Sequence, residues 1–312
     1  MSESLSDNNF NLARKSQALQ LRAKLIQSIR KFFIQKNFLE IETPIRIPSP
    51  APEEHIEAIS SDNWFLQTSP ELCMKRLLSA GFPRIFQISK CFRSAERGDK
   101  HLPEFTMLEW YVAGFDYHQL MDQCEAMILT AFKDMGYDKN IVWQNKKNFL
   151  ALPWERISVA DAFSRYAPIG LQEALNHNKF DEFMVEYIEP GLSIDRPTFI
   201  YDYPAKLAAL AKIKDSNPAV AERFELYIGR LELANGFSEL TNANEQRQRF
   251  EEALKVRIAK SWAHYEMPEK FLKAMQTMPP SAGIALGIDR LVMLLADTDK
   301  IDDVVAFTPE TL

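Results

Sequence analysis

With ten glycines among 312 residues, the chain has no glycine-rich phosphate cradle: neither a GxxxxGK[ST] loop nor a GxGxxG turn occurs. It also lacks a GxSxG nucleophile elbow and an HExxH pair, which removes the commonest serine-hydrolase and zinc-protease arrangements. A nucleotide, if one is used, has to be gripped by arginines and a metal. The three cysteines, Cys73, Cys91 and Cys124, form no CxxC pair and none has a histidine beside it at metal-ligand spacing. Reduced thiols in a cytosolic protein are therefore expected. No apolar run approaches membrane-spanning length, and the polar start MSESLSDNNF lacks the basic-then-apolar order of a signal peptide, so a cytoplasmic location is expected. A net charge of -6 argues against broad, non-specific binding to nucleic acid. Arg14, Lys15, Arg22, Lys24, Arg30 and Lys31 are the one notable basic concentration; on an amphipathic helix they read first as a solvated face and second as a docking surface.

What is present is organised around FRSAERGDKHLPEFTMLEWY, from Phe92 to Tyr111. It leaves one strand at Arg93, crosses a polar loop and returns as a second strand from Glu104. Alternation puts Phe105, Met107, Glu109 and Tyr111 on one face and Thr106, Leu108 and Trp110 on the other. A carboxylate between aromatics on a sheet face must either bind something or find a buried partner.

Helical spacing of Leu21, Leu25, Ile29, Phe32 and Phe33 predicts a helix from about Ala13 to Gln35. FLEIETPIRI then alternates as a strand into Pro44, and SPAPEE breaks it. Trp64 to Gln67 reads as a strand leading into TSPE, where Thr68 or Ser69 can cap a helix that Pro70 suits and Gly81 closes. A helix from about Tyr117 to Met135 follows. Between Lys139 and Lys214, ISVADAFSRY and FDEFMVEYIE look helical and PTFIYDYP looks extended, as in an insertion within one domain. FELYIG and LELANGFSEL form a hairpin around Gly229 and Arg230, and Asn242 can cap the next helix. GIALGI feeds a final helix with Asp289 placed to cap it, and VVAFT reads as a last short strand.

Three features could carry chemistry. Glu232 and Glu239 would fall on opposite faces of a regular strand, but a bulge at Asn235-Gly236 would bring both to one face, an oxygen-rich arrangement suited to Mg²⁺. Two solvent-facing glutamates on a hairpin would fit the same pattern. Arg290 opens a helix after Gly287, where the backbone tolerates close approach and a guanidinium can stack on a ring. With Arg93 and Phe105 these residues supply the parts of an ATP grip.

The segments FLEIET before Pro44, FRSAERGDKHLPEFTMLEWY and GIALGIDRL resemble, in order, the three signature motifs of class II aminoacyl-tRNA synthetases, and ERFELYIGRLELANGFSEL resembles the lysyl branch. The likeness runs from about Leu19 to Phe307. Fewer than forty residues precede the first motif's strand, where a lysyl-tRNA synthetase carries an anticodon-binding barrel. The chain is therefore most similar to the stand-alone family of elongation factor P β-lysine ligases.

That resemblance implies an α+β class II synthetase catalytic domain, a mainly antiparallel sheet flanked by helices, occupying residues 1–312 as one unit and dimerising around Pro44. It implies ATP and Mg²⁺, a lysine-type amino acid substrate such as (R)-β-lysine, elongation factor P as acceptor and no tRNA. Arg93 would contact the α-phosphate, Phe105 and Arg290 would sandwich the adenine, and Ser94, Ala95, Glu96, His101, Leu102, Leu233 and Gly287 would line the nucleotide. Glu232 and Glu239 match the Mg²⁺-linked glutamates. Ser69, Pro70, Glu71, Glu109, Tyr111, Asn235, Glu239 and Ala285 match positions around the amino acid, with Ala285 standing where lysyl-tRNA synthetases usually have glycine. Two positions depart from the pattern: Ala95 replaces the glutamate expected two residues after Arg93, with Glu96 next, and Leu102 replaces an asparagine. A tRNA-charging enzyme, an activating enzyme that transfers to a small amine, and a non-catalytic regulatory paralogue are the rival readings. The basic helix would be the docking surface for elongation factor P.

Overall fold

The computed structural model describes residues 12–312; the polar start expected for residues 1–11 lies outside them. The first helix, α1, spans Ser16–Gln35 and buries Leu25, Ile29, Phe32 and Phe33, the stripe its periodicity predicts. The motif-one segment does not form one strand: it splits into β1 (Leu39–Glu40) and β2 (Arg46–Ile47), with Pro44 between them. A small sheet follows with β3 (Ser60–Ser61) and β4 (Trp64–Leu66), then α2 (Glu71–Ser79). Pro70 occupies the cap position itself, and Ser69 Oγ, one residue earlier, accepts from the Glu71 amide at 3.0 Å.

The long hairpin β5 (Arg84–Phe92) and β6 (Glu104–Ala113) leads to α3 (Tyr117–Asp134), which Asp116 and Gln119 open with a reciprocal capping box. The 139–214 region begins with a hairpin that the sequence did not suggest, β7 (Asn140–Trp143) and β8 (Lys146–Phe149), then β9 (Glu155–Ser158). Helix α4 (Val159–Tyr166) thus starts only after the first residues of ISVADAFSRY have closed a strand. Helices α5 (Leu171–Asn176), α6 (Phe180–Phe183) and α7 (Glu189–Gly191) follow, the last two joined by a π-helical turn at Met184–Ile188. The chain then returns through β10 (Thr198–Pro204), β11 (Val220–Ile228), β12 (Leu231–Ser238), α8 (Ala243–Ala259), α9 (Glu269–Met275), β13 (Ser281–Gly287) and α10 (Ile288–Ala296). VVAFT forms no strand; a 3₁₀ turn at Ile301–Val304 buries Ile301 and Val304 instead.

Eight strands make the main sheet in the order β1-β5-β6-β13-β12-β11-β10-β9, antiparallel except for the two outermost pairs. Alternation divides its two faces by chemistry. Trp110, Ile284, Ala234 and Leu226 point to the side covered by α1, α3 and α10, and form the main core with Phe33, Phe86 and Leu291. Glu109, Ala285, Asn235 and Glu225, which are paired in register across four neighbouring strands, point to the other side. One face is thus a dry core, and the other carries charges that need partners. A second apolar cluster built from β9 and α4–α7, with Tyr203 and Tyr227, walls off one end of that polar face.

Asp289 does not cap α10; Gly287 occupies that position. The carboxylate instead accepts from the Thr106 amide at 2.6 Å and from Arg22 at 2.5 Å, tying α1, β6 and α10 together. This also changes the reading of the basic helix. Arg22 is committed to Asp289, Arg30 to Glu40 at 2.8 Å, and Lys15 to the Val305 carbonyl at 3.1 Å, with Lys31 3.7 Å from Asp134. Each of these four thus has a partner within the fold, although the Arg30 and Lys31 side chains stay 43% and 62% exposed.

Candidate active site

The polar face of the sheet floors a cavity of about 790 Å³, large enough for a nucleotide and a small amino acid together. Every residue the sequence nominated from Ser69, Glu71, Arg93, Glu96, His101, Leu102, Phe105, Glu109 and Tyr111 lines it, as do Glu232, Leu233, Asn235, Ala285, Gly287 and Arg290. Ser94, Ala95 and Pro70 do not face it directly. Glu239 lies beneath it, against Tyr111 and Gly283.

One end is closed and acidic. Glu109 is 1% exposed, and its oxygens accept from Ser69 Oγ at 2.6 Å and from the Tyr111 hydroxyl at 2.8 Å. Burial, then the nearby Glu71 charge, pushes its carboxyl up to about 7 despite those two donors. Glu239 is pushed to about 8, again chiefly by burial. Glu239 and Glu71 share one cation, Lys75, which is 1% exposed on α2 and lies 2.5 Å from Glu239 and 2.5 Å from Glu71 one helical turn earlier. Burial pulls the Lys75 ammonium down, but Glu239 and Glu71 more than offset it. Neither oxygen of Glu239 accepts a well-aligned hydrogen bond among the described residues. The pocket therefore holds more carboxylates than cations, and its free acceptors fit an ammonium ligand. Small residues leave the room: a Cβ added at Gly283 would collide with the Tyr111 ring and fall 2.5 Å from Glu239 Oε1.

The other end is open and its charges are loosely paired. Arg290 donates to the Glu232 carbonyl at 2.9 Å and its carboxylate at 3.2 Å, and contacts His101 Nε2 at 2.6 Å. Burial and then Arg290 hold His101 below its ordinary value, so a neutral imidazole accepting at Nε2 fits the contact. Arg93, not Arg290, covers the Phe105 ring, 5.0 Å from its centroid, and buried Arg93 Nε has no hydrogen-bond partner among the described residues. Ala95 adopts a left-handed φ of 61°, which turns Glu96 back into the cavity to within 3.8 Å of Arg93. Leu102 is 3% exposed and packs into the main core, so His101 is the polar group this part of the loop offers the cavity.

The bulge in β12 lies at Leu233, not at Asn235-Gly236. Leu226 pairs with Ala234 and Tyr227 with Glu232, leaving Leu233 unpaired. Glu232 is returned to the pocket face as expected, but by a different residue. The carboxylate across the strands from it is Glu225, which accepts from Arg223 at 2.7 Å and from Tyr227 at 2.7 Å and is raised by burial. Glu239 is occupied by Lys75 at the acidic end. No group of three or more His, Cys, Asp or Glu among the described residues is arranged to hold a metal. Two carboxylates plus phosphate oxygens nevertheless suffice for Mg²⁺, which keeps most of its ligands from water and nucleotide. The pair Glu232 and Glu225 fits that use better than the expected pair Glu232 and Glu239.

Lys75, Arg223, Glu225, Glu53 and Glu189 were not singled out by sequence. The spacing of Glu71 and Lys75 on one helix face was the available signal for the first. Glu189, on α7, is pushed to about 7 by burial and then by Glu232, so the insertion contributes a carboxylate to the nucleotide end.

Comparison with known proteins shows the family. The family model for class II tRNA synthetases (D, K and N) matches residues 9–311. The elongation factor P--(R)-beta-lysine ligase of Haemophilus influenzae is 38% identical over 300 residues, 92% of this chain and 93% of that protein. Proteins of the same name from Proteus mirabilis and Avibacterium paragallinarum are 36% identical over 302 residues and 37% identical over 321 residues, covering 92% and 98% of this chain and 93% and 99% of those proteins. The chain belongs to the class II tRNA synthetase (D, K and N) family.

Proposed function

We propose that the protein is an ATP-dependent, AMP-forming ligase that activates a lysine-type amino acid, (R)-β-lysine or lysine, and transfers it to a lysine side chain of elongation factor P. The observation that carries this reading is the closed acidic end, where Glu109 is oriented by Ser69 and Tyr111 beside the incompletely satisfied Glu239. A distal ammonium entering there meets a counter-charge and acceptors already in place. The names carried by relatives that align over nine-tenths of the chain support the choice of acceptor.

The amino acid carboxylate then points toward Arg93. Its oxygen attacks the α-phosphorus of ATP, pyrophosphate leaves, and an acyl-adenylate forms; the acceptor amine next attacks the acyl carbon, AMP leaves, and the nitrogen gives up a proton. Arg93 moves from the Phe105 face to the phosphate, where charge builds, and the exposed ring face takes the adenine opposite Arg290. Mg²⁺, when bound with ATP, would supply phosphate charge neutralisation, and Glu232 with Glu225 would hold it. No enzyme nucleophile is needed.

Described residues contain no helix long and apolar enough to cross a membrane, in keeping with action on a cytoplasmic translation factor. A homodimer is supported by Ile34, Leu39, Ile45 and Phe82, apolar side chains 41–60% exposed at the end of α1, at β1, after Pro44 and just before β5. We read the described residues as one catalytic unit without a separate anticodon module.

Pyrophosphate exchange with α-lysine, (R)-β-lysine and unrelated amino acids, followed by transfer assays to elongation factor P and to tRNA, tests the reading. Exchange specific for lysine-type substrates with transfer to protein is expected. Efficient tRNA charging without protein transfer overturns it, and absence of exchange with every amino acid favours a regulatory subunit.

A further inference from the structure

The segment between β2 and β3 crosses the mouth of the cavity as a strap, and it is anchored at several points. Arg257, 1% exposed on α8, donates to the Glu53 carbonyl at 2.9 Å, the Ile56 carbonyl at 2.7 Å and the Glu57 carboxylate at 2.6 Å. Lys260 holds the Glu54 carbonyl at 2.6 Å, and the Ser94 amide, next to Arg93, donates to the Glu57 carbonyl at 2.7 Å. Pro48, Pro50 and Pro52 restrict the rest. Apart from the one to the Glu57 carboxylate, these contacts fix the backbone and leave the Glu53 side chain to the cavity.

The Glu53 carboxylate lines the cavity with Glu71, Arg93 and Arg223, within electrostatic reach of all three and of the buried Lys75. No hydrogen bond or ion pair among the described residues engages it. A lysine-type substrate carries two ammonium groups. With the distal one at Glu109 and the carboxylate directed to Arg93, the other amine must lie between them. That is the space lined by Glu71 on α2 and Glu53 on the strap. Burial and then Glu71 push Glu53 up to about 7, against the opposing pull of Arg93, Arg223 and Lys75.

We propose that Glu53 is a specificity-determining residue that receives the amine nearest the reacting carboxyl, closing over it from the strap opposite Glu71. The proposal rests on the lysine-type reading above. It makes the strap part of the amino acid site, so that a substrate lacking this amine loses the contact.

The test compares Glu53→Gln with the unaltered protein in pyrophosphate exchange, using (R)-β-lysine, α-lysine and 6-aminohexanoate, which keeps the distal ammonium alone; the last is read as a substrate or as a competitive inhibitor. Glutamine preserves shape and the Arg257 contact to the main chain. A rise in KM for the diamines of about tenfold or more is expected, the loss of a charge-assisted contact, with the ATP KM and the constant for 6-aminohexanoate unchanged. Equal losses for all three compounds, or no change for the diamines, overturn the proposal. Normal exchange with slowed transfer to elongation factor P also overturns it, because Glu53 would then serve the incoming acceptor amine. If the unaltered protein exchanges with no lysine-type amino acid, the parent reading fails and this one with it.

Discussion

The two ends of the cavity are built on the same sheet face but to different standards of closure. At the amino acid end, Glu109, Tyr111, Lys75 and Glu239 are 1–3% exposed and locked to one another. At the nucleotide end, the Arg290 and Glu232 side chains are 20% and 40% exposed, and Arg93 rests on Phe105. A small, doubly charged ligand is recognised by placing counter-charges where water cannot screen them, which demands rigid surroundings. ATP carries its own charge and metal, so its groups can be held in temporary pairs and re-sorted on binding. Selectivity thus belongs to the closed end and turnover to the open one.

The largest expected effect breaks the closed end alone. Glu109→Ala removes the counter-charge of a buried ammonium, a loss of about 3–5 kcal/mol, so kcat/KM for the amino acid in pyrophosphate exchange should fall by about 10²–10³-fold or more. A fluorescent-nucleotide titration should give an unchanged ATP Kd. A comparable loss of nucleotide affinity would show that the ends are not separable. Glu239→Ala leaves Lys75 with Glu71 as its one close carboxylate and should abolish exchange altogether.

Arg93→Ala probes the open end. Removing a donor to developing phosphate charge costs about 10²–10³-fold in kcat. Amino acid binding in the absence of ATP, measured by calorimetry, should persist. Loss of that binding would move Arg93 into the amino acid grip.

The ends should also differ in pH response. Glu109 and Glu239 titrate near 4.5 when exposed and at about 7 and about 8 in the fold, so the native protein holds extra protons between those values. Their contribution to stability is full below about 4.5 and is lost as pH rises through 7 to 8, so the melting temperature without ligand should fall over that interval. An ammonium ligand favours the ionised carboxylates. The KM for the amino acid should therefore drop by about tenfold from pH 6 to 8, and this dependence should flatten in Glu109→Gln. An unchanged slope in that variant would separate the titration from Glu109.

The closed end was also the more legible in sequence. Alternation along Phe105, Met107, Glu109 and Tyr111 needs no knowledge of neighbours, because a strand's own geometry sorts its faces. The β12 bulge was placed wrongly because Asn235-Gly236 is a turn signal only when the chain is free to turn. Between β11 and β13 both residues are paired, and the Asn235 amide oxygen accepts from Arg223. VVAFT has strand composition but packs into the core through Val304 instead of joining a sheet. Lys75 was not singled out because its partners come from its own helix and from a strand 164 residues later. SPAPEE read as a breaker, and a breaker anchored by a buried arginine is a wall.

The smallest effect sharpens the comparison within the open end. Glu96 reaches the cavity only because Ala95 takes a left-handed turn, a conformation that costs a non-glycine residue about 1 kcal/mol. Ala95→Gly should therefore leave exchange unchanged and raise stability slightly, while Ala95→Val should disturb the loop. Glu96→Gln should raise the ATP KM by only about two- to fivefold, since the Arg93 pair is long and partly solvated, and should leave the amino acid KM alone. A large effect of Glu96→Gln on the amino acid would mean that the motif-two loop contributes to the closed end. The division between a rigid selective half and an adjustable nucleotide half would then have to be drawn elsewhere than at Arg93.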